Sequence, residues 1–332
     1  MRVKLEDVCE RGSSNLKQSD IIDKTGEYPI YGAAGYIGNV DFYHQEKSYV
    51  AVVKDGAGIG RTTLHPAKSS AIGTMQYLLP KENVLPEYLC YVVRYMHLEK
   101  YFTGATIPHI YFKDYKNEEF NLDPLDQQGE IVEILGKVES IIETRRNELQ
   151  KLDELIKARF VELFGNSEQN PRGLPVLPWN KVFLTTTEKL DSNAMMENGQ
   201  YPFFTCAKES FWIDTYAFDC EALLLAGNNA AGVYDVKHYK GKFNAYQRTY
   251  VLRLVNEQWS YRVFKRQLED KLRYLKSQSK GTNTRYLTLG ILNKLRFVVP
   301  PVTEQEQFSM FVAQVDKSKF SVFNTINILF NI

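Results

Sequence analysis

The sequence predicts an α+β protein in which two α/β globules form a tandem repeat, separated and followed by long α-helices that pair as an antiparallel coiled coil. Three observations lead to this class. Similar segments recur in one order at nearly one spacing, each unit opens with glycine turns and short apolar runs, and each unit ends in a proline-free heptad pattern. The length of 332 residues suits about two domains.

Four pairs of segments define the repeat, with offsets of 172 to 177 residues. They are 26–31 and 199–204, 54–60 and 226–232, 104–106 and 281–283, and 124–128 and 301–305. Each pair is weak alone, because Tyr-Pro and glycine clusters are common turn chemistry. Four pairs in the same order indicate a duplicated unit.

The first part of each unit is typical of a mixed globule. Apolar runs beside glycine turns predict short buried strands at 49–53, 76–79, 222–226 and 249–254. A short helix is then predicted in each unit, around 86–101 and 261–276.

The second part of the first unit, residues 127–164, contains no proline and predicts one helix of about 57 Å, with Gly165 as its stop. Its apolar residues follow the alternating spacing of a coiled coil, in which Arg145 and Arg159 fill the two remaining positions. This seam comprises Ile131, Leu135, Val138, Ile142, Leu149, Leu152, Ile156 and Leu163.

The offset of 177 maps the same seam onto the C-terminal segment. There it comprises Phe308, Val312, Val315, Val322, Ile326 and Leu329, with Lys319 at the remaining position. A single amphipathic helix ordinarily covers its own domain, but two seams in one phase favour packing against each other. The second helix is short and ends in the apolar segment 323–330, so two explanations are open: its end needs a partner protein, or it is truncated.

These boundaries divide the chain into four parts. The predicted domains are a first globule at 1–125, a central helix at 126–165, a second globule at 166–302 and a C-terminal helix at 303–332.

The net charge of +1 conceals an uneven distribution. Residues 1–125 carry 14 basic and 16 acidic side chains, whereas residues 175–300 carry 18 and 11. Within 237–296, 15 basic residues stand against three acidic ones, with nine aromatic residues interleaved. Such a stretch indicates a phosphate-binding face, and the alternative is a solvated helical face.

The recognised signatures of catalysis are missing from the sequence. The glycine turn at 54–60 lacks both the phosphate-loop spacing and the dinucleotide-binding spacing, and no histidine or cysteine stands at zinc spacing. We therefore expect a non-catalytic chain that binds no metal or cofactor. Without a secretion signal, a membrane span or a C-x-x-C pair, we also expect a cytoplasmic protein whose cysteines are reduced.

Four motifs carry a resemblance to a known family: Gly-Glu-Tyr-Pro-Ile-Tyr-Gly at 26–32, Lys-Asp-Gly-Ala-Gly-Ile-Gly at 54–60, Gly-Ala-Thr-Ile-Pro-His-Ile at 104–110 and Pro-Leu-Asp-Gln-Gln at 124–128. On these, nearly the whole chain resembles the specificity (S) subunit of type I restriction-modification systems. The second half departs from the pattern, since Asn228 and Asn229 replace a glycine pair and Arg285-Tyr286 stands where Pro108-His109 is expected.

The resemblance implies that each globule is a target-recognition domain for one half of a bipartite, asymmetric sequence in double-stranded DNA. It implies that the helices set the spacing and dock two modification subunits, which use S-adenosylmethionine to methylate adenine N6. Restriction subunits would join them and cleave DNA with ATP and Mg²⁺.

Groove chemistry selects the candidate contact residues, because Arg and Lys suit guanine or phosphate and Asn suits adenine. In the first globule they are Lys54, Arg61 and His109. In the second they are Lys208, Asn228, Asn229, Arg248, Lys280 and Arg285. Two alternatives to this function stay open: a stand-alone DNA enzyme with diverged motifs, and a coiled-coil scaffold that has lost DNA binding.

Overall fold

The computed structural model describes residues 1–22, 24–103 and 108–330, and it divides into two compact units, Met1–Ile141 and Ile142–Ile332. In the described chain, no helix is long and apolar enough to cross a membrane.

The first unit holds three small sheets, in the strand orders β2-β8-β5-β6, β4-β3-β7 and β1-β9. The strands are β1 (Arg2–Lys4), β2 (Cys9–Ser13), β3 (Tyr28–Gly32), β4 (Gly35–Val40), β5 (Tyr49–Val53), β6 (Thr62–His65), β7 (Ser70–Ala71), β8 (Met75–Pro80) and β9 (Glu119–Asn121). The helices are α1 (Leu5–Val8), α2 (Pro86–Tyr95), α3 (Phe112–Tyr115) and α4 (Leu125–Phe164), with 3₁₀ turns at Gln18–Ile21 and Leu98–Tyr101.

The second unit is built around one six-stranded sheet, ordered β11-β17-β14-β16-β12-β13, beside the pairs β10-β19 and β15-β18. Its strands are β10 (Val176–Pro178), β11 (Phe183–Thr186), β12 (Tyr201–Phe204), β13 (Phe211–Ile213), β14 (Phe218–Ala226), β15 (Asn228–Asn229), β16 (Val236–Ala245), β17 (Thr249–Leu254), β18 (Arg285–Tyr286) and β19 (Arg296–Val298). Its helices are α5 (Trp179–Val182), α6 (Tyr261–Gln278), α7 (Leu289–Leu292) and α8 (Val302–Phe330), with a 3₁₀ turn at Ser192–Ala194.

The duplication predicted from the sequence is confirmed by the strand registers. The fully buried strand β5 pairs with β8 through Val50 and Leu78, and β14 pairs with β17 through Leu223 and Leu252. The parallel pair β3-β7 likewise has its counterpart in β12-β16. The predicted strands form, and the helix predicted around 261–276 forms as α6. The helix predicted around 86–101 ends earlier, at Tyr95, because His97 adopts a left-handed conformation before the 3₁₀ turn at Leu98–Tyr101. Each globule packs apolar residues into a core of its own.

The glycine of the repeated Gly-x-Tyr-Pro motif has a steric function. A Cβ on Gly26 would lie 2.1 Å from the Val40 carbonyl carbon, and a Cβ on Gly199 would lie 2.2 Å from the Ile213 nitrogen. Because a real Cβ cannot come so close to backbone, only glycine lets the neighbouring strand approach at these points.

The helix α4 spans 40 residues, or about 60 Å. It ends where Gly165 adopts a φ of +77°, a conformation that favours glycine as a helix stop. Between Ile142 and Leu163 every position of the predicted seam is half-buried, and most of the residues between them are exposed. Residues of α8 repeat this pattern, since Phe308, Val312, Val315, Val322 and Ile326 are buried.

Within the second unit, the two helices run antiparallel. Phe160 and Phe164 pack edge-on against Phe308, at ring-centroid distances of 5.5 and 5.8 Å. Further along, Asp153 of α4 forms an ion pair with Lys319 of α8. Residues earlier in α4 thus contact residues later in α8, so the two helices are antiparallel, as predicted.

Two aromatic residues of α4 outside the predicted seam are almost fully buried. Phe160 and Phe164 join Val263 of α6 and Val312 of α8 in one apolar cluster. The heptad pattern missed them because this end of α4 packs against a globule as well as against α8.

Candidate nucleic-acid interface

In the first unit, a glycine turn joins β5 to β6 and carries two candidate residues. Gly56, Gly58 and Gly60 have φ values of +84°, +86° and +81°, which fits the tight turn predicted there. The turn is closed by the Val53 amide, which donates to the Arg61 carbonyl at 2.9 Å. Its two ends therefore bring Lys54 and Arg61 to the same edge of the sheet.

A second segment crosses this turn and brings in the third candidate. His109 forms a β-bridge with Asp55, and its Nδ1 lies 2.7 Å from Asp55 Oδ1. Two backbone hydrogen bonds hold the same segments together. The Ile110 amide donates to the Lys54 carbonyl at 2.9 Å, and the Gly56 amide donates to the Pro108 carbonyl at 2.9 Å. Lys54, Arg61 and His109 thus share one rim, here called the first rim.

One predicted motif falls partly beyond what the structure describes. Residues 104–107 of the Gly-Ala-Thr-Ile-Pro-His-Ile segment lie outside the described residues. On either side, the amides of Thr103 and His109 each donate to the other residue's carbonyl, at 2.9 and 2.8 Å.

The second unit has an equivalent rim built from different side chains. Strand β15 pairs with β18, so that Asn228 lies opposite Tyr286 and Asn229 lies opposite Arg285. The Leu287 amide donates to the Gly227 carbonyl at 2.8 Å, which matches the bond between Ile110 and Lys54 in the first unit. Asn228 and Tyr286 consequently stand where the first unit has Asp55 and His109.

Two more candidates complete this second rim. Lys280 and Tyr286 donate to each other's carbonyls at 3.0 and 2.8 Å, as Thr103 and His109 do. The Arg248 carbonyl accepts from the Gly227 amide at 2.8 Å. Arg248 and Tyr286 also line one cavity of about 270 Å³. Residues that are distant in the sequence therefore lie together at a single edge.

The remaining candidate, Lys208, lies on an adjoining turn. Cys206 Sγ donates to the Arg248 carbonyl at 3.3 Å, and Lys208 is exposed two residues further along. The second rim comprises Asn228, Asn229, Arg248, Lys280, Arg285 and Tyr286.

The side chain of Asn229 forms hydrogen bonds within its own loop. Its Oδ1 accepts from the Ala231 amide at 2.9 Å and from the Val233 amide at 3.2 Å. Only the amide nitrogen is then available to an outside partner, which limits the bidentate adenine contact that groove chemistry allows for Asn.

The structure divides the basic residues of 237–296 into two groups. On α6, Arg262 pairs with Asp316 at 3.4 Å, Arg266 bonds Glu269 and Asp270, and burial lowers the pKa of Lys271. These cations stabilise the unit itself. At the second rim, by contrast, Arg248, Lys280 and Arg285 form no ion pair with any described carboxylate. The charge count alone therefore overstates the number of cations that are free to bind phosphate, because several of those on α6 are paired or buried within the unit.

Two exposed tyrosines beside the rims were missed by the sequence reasoning. Tyr111 is 49% exposed, and its ring lies nearly parallel to that of His109 at 6.4 Å. Lys113 Nζ lies 5.4 Å from the centre of the Tyr111 ring. Tyr286 is 41% exposed. Exposed aromatic rings next to the motif residues are the signal that could have identified them.

Among the residues that the structure describes, no three His, Cys, Asp or Glu side chains group closely enough to hold a metal ion. The four cysteines are free, and burial raises the pKa of Cys9 to about 12. Burial also lowers the pKa of His65 to about 4.

Comparison with known proteins gives a sequence match over part of the chain and fold matches to solved structures. The chain is 38% identical over 157 residues to the type I restriction enzyme EcoDI specificity subunit of Escherichia coli, a match covering 44% of this chain and 34% of the relative. The match thus spans about a third of that relative's length. A crystal structure of the type I restriction-modification system S subunit from M. genitalium covers 99% of this chain and 92% of its own, with a TM-score of 0.64 at 14% identity. At that identity the likeness concerns the fold.

The family described as type I restriction modification DNA specificity domain matches residues 1–154 and 182–329. The two matched stretches agree with the duplicated fold and include both rims. The chain belongs to this family and carries two tandem recognition domains.

Proposed function

We propose that this chain is the sequence-specific DNA-recognition subunit of a type I restriction-modification complex. Each globule reads one half of a bipartite, asymmetric target through its rim, and the paired helices set the distance between the halves. The observation that best supports this function is that the two rims are equivalent. Corresponding backbone hydrogen bonds hold them, but their side chains differ. Asp55 and His109 in one unit correspond to Asn228 and Tyr286 in the other.

The side chains suggest how each rim meets DNA. Arg248 and Arg285 can each donate two parallel hydrogen bonds to guanine, whereas Lys54, Lys208 and Lys280 suit phosphates. Arg61 and His109 supply further donors at the first rim. Different donor and acceptor sets at equivalent positions imply two different half-site sequences.

The chain would act through partners. We infer that two modification subunits dock on the helices and methylate adenine N6 with S-adenosylmethionine, and that restriction subunits use ATP and Mg²⁺ to cleave DNA. The chain itself then contributes recognition rather than catalysis, and the complex works in the cytoplasm.

Mapping N6-methyladenine in cells with and without this chain tests the proposal. We expect a bipartite motif with a fixed gap, and we expect its methylation to vanish when the chain is deleted. Persistence of every methylated motif after the deletion would contradict the function.

The two alternatives predict different results. A stand-alone enzyme would turn over DNA as the purified chain, given S-adenosylmethionine or Mg²⁺, and the recognition subunit would not. A protein scaffold would show no salt-dependent affinity for DNA, whereas a chain that neutralises phosphates loses affinity as salt rises.

A further inference from the structure

Two fully buried glutamines occupy equivalent positions in the first turns of the long helices. Gln128 of α4 accepts a hydrogen bond at Oε1 from the Leu85 amide at 2.8 Å. Its Nε2 donates to the Asn83 carbonyl at 3.0 Å and to the Asp123 carbonyl at 2.8 Å. Both polar atoms are satisfied, so the amide joins the globule to the start of its helix at no desolvation penalty.

The second unit repeats this connection. Gln305, at the start of α8, accepts at Oε1 from the Ser260 amide at 2.9 Å and donates from Nε2 to the Pro300 carbonyl at 2.8 Å. Leu85 and Ser260 are the N-cap residues of α2 and α6. In both units, therefore, the glutamine joins the N-cap residue of the short helix to the long helix.

A second connection lies eleven residues further along each long helix. Glu139 accepts from Arg94 Nη1 and from the Tyr91 hydroxyl of α2, each at 2.9 Å. Asp316, at the equivalent position of α8, accepts from Arg262 Nη2 of α6 at 3.4 Å, but Arg262 lies only two residues beyond Ser260, at the start of α6. In the first unit, Leu85 and Arg94 lie at opposite ends of α2, so the two connections, about 16 Å apart along α4, fix the orientation of the short helix, which a single connection could not do.

The glutamine connection is the same in both units, whereas the two rims differ. A feature retained in both units serves a requirement common to both halves of the target, while a feature that differs serves the half-site sequence. We propose that Gln128 and Gln305 are positioning residues that set the angle between each globule and its helix, and thereby the number of base pairs between the half-sites. This inference rests on the proposed function.

The geometry makes the gap sensitive to this angle. A rotation of about 10° at a joint moves a surface about 20 Å away, the scale of a domain of this size, by about 3.5 Å. That displacement is the rise of about one base pair of DNA. A slightly loosened joint should therefore relax the gap length while leaving base recognition intact.

The test uses the full chain reconstituted with its modification subunits. DNA duplexes would carry both half-sites with the native gap, or with gaps one and two base pairs shorter and longer, and the methylation rate of each would be measured. Gln128→Met keeps the side-chain volume but removes every hydrogen bond. We expect its preference for the native gap over gaps one base pair away to fall at least fivefold, with unchanged half-site sequence preference.

A matched control lies next to it in the sequence. Gln127 is exposed, so Gln127→Met should keep the wild-type gap preference. If Gln128→Met does not fold, Glu139→Ala removes the second connection from an exposed position and should relax the gap in the same direction. Folded variants that keep the wild-type gap preference would overturn the inference.

The same duplexes separate this inference from the proposed function. If the wild-type complex methylates duplexes with one half-site as fast as complete targets, the proposed function fails and the inference with it. If the wild type requires one gap and the joint variants require it equally, only the inference fails.

Discussion

Arg285 lies opposite Asn229 across the two-residue β-pair of the second unit, at the point where the first unit places Pro108 opposite Gly56. The backbone connections are the same, but two polar side chains replace a proline and a glycine. A recognition surface can thus change its side chains while its supporting strands stay constant.

The arginines of the second rim should carry recognition of one half-site. Replacing Arg248 or Arg285 by Ala removes a possible bidentate contact to guanine, each worth about 1–3 kcal/mol, or about a 5- to 150-fold loss in the methylation rate of the cognate target. Lys294 is exposed on a separate loop, so Lys294→Ala is the control. Wild-type rates and specificity in both arginine variants would remove these residues from the site.

The affinity for DNA should fall with salt, and Lys280 should contribute to that dependence. Each phosphate contact contributes about 0.9 to the slope of log affinity against log salt concentration. Lys280→Ala should therefore reduce the slope by about 1 while weakening binding to all sequences alike. An unchanged slope would show that Lys280 contacts no phosphate.

The helix pair of the second unit should depend on Phe308. This ring is fully buried against Phe160 and Phe164, so Phe308→Ala leaves a cavity that costs about 3–5 kcal/mol in the free energy of unfolding. Phe320 is on the same helix but 67% exposed, and Phe320→Ala should cost little. Urea denaturation measures both variants, and equal losses would contradict the packing described.

Acidification should destabilise the first unit through His65. Burial lowers the pKa of His65 to about 4, below the ordinary value of about 6.5 that it has when unfolded. The unfolded chain therefore binds a proton first, and stability is lost as pH falls from about 6.5 towards 4, by on the order of 3 kcal/mol. His65→Gln should lose less stability over this range, as measured by urea unfolding at each pH. Parallel pH profiles for the two proteins would refute the assignment.

The buried strands and long helices that were predicted have local signals in the sequence. The apolar run of β5 and the heptad spacing of α4 can be read within a few turns of chain, and the repeat offset supplied the seam of α8. The four-part domain division itself stays a prediction.

The rims were predictable only in part. Glycine turns pointed to Lys54 and Arg61, but the contact between Asp55 and His109 joins residues 54 positions apart. The pairing of Asn229 with Arg285 is similarly distant in sequence, so no local pattern specifies it. Which of these side chains contact bases stays a prediction.

Burial of polar residues was the least predictable feature. Gln128 stands beside the exposed Gln127, and composition does not distinguish them. Likewise, the cations of α6 resembled a DNA-binding stretch, but Arg266 and Lys271 are used inside the unit. Only the packing of one helix on another shows which of these residues are used inside the unit and which lie on a binding surface.

The central claim is that each globule reads its own half of the target. Methylated motifs mapped in cells expressing the wild-type chain, the variant with Lys54→Ala and His109→Ala, or the variant with Arg248→Ala and Arg285→Ala test it most directly. We predict that each variant relaxes or loses one half of the motif, a different half in each case, with the gap unchanged. If both variants alter the same half, or if both halves change together, the account is wrong.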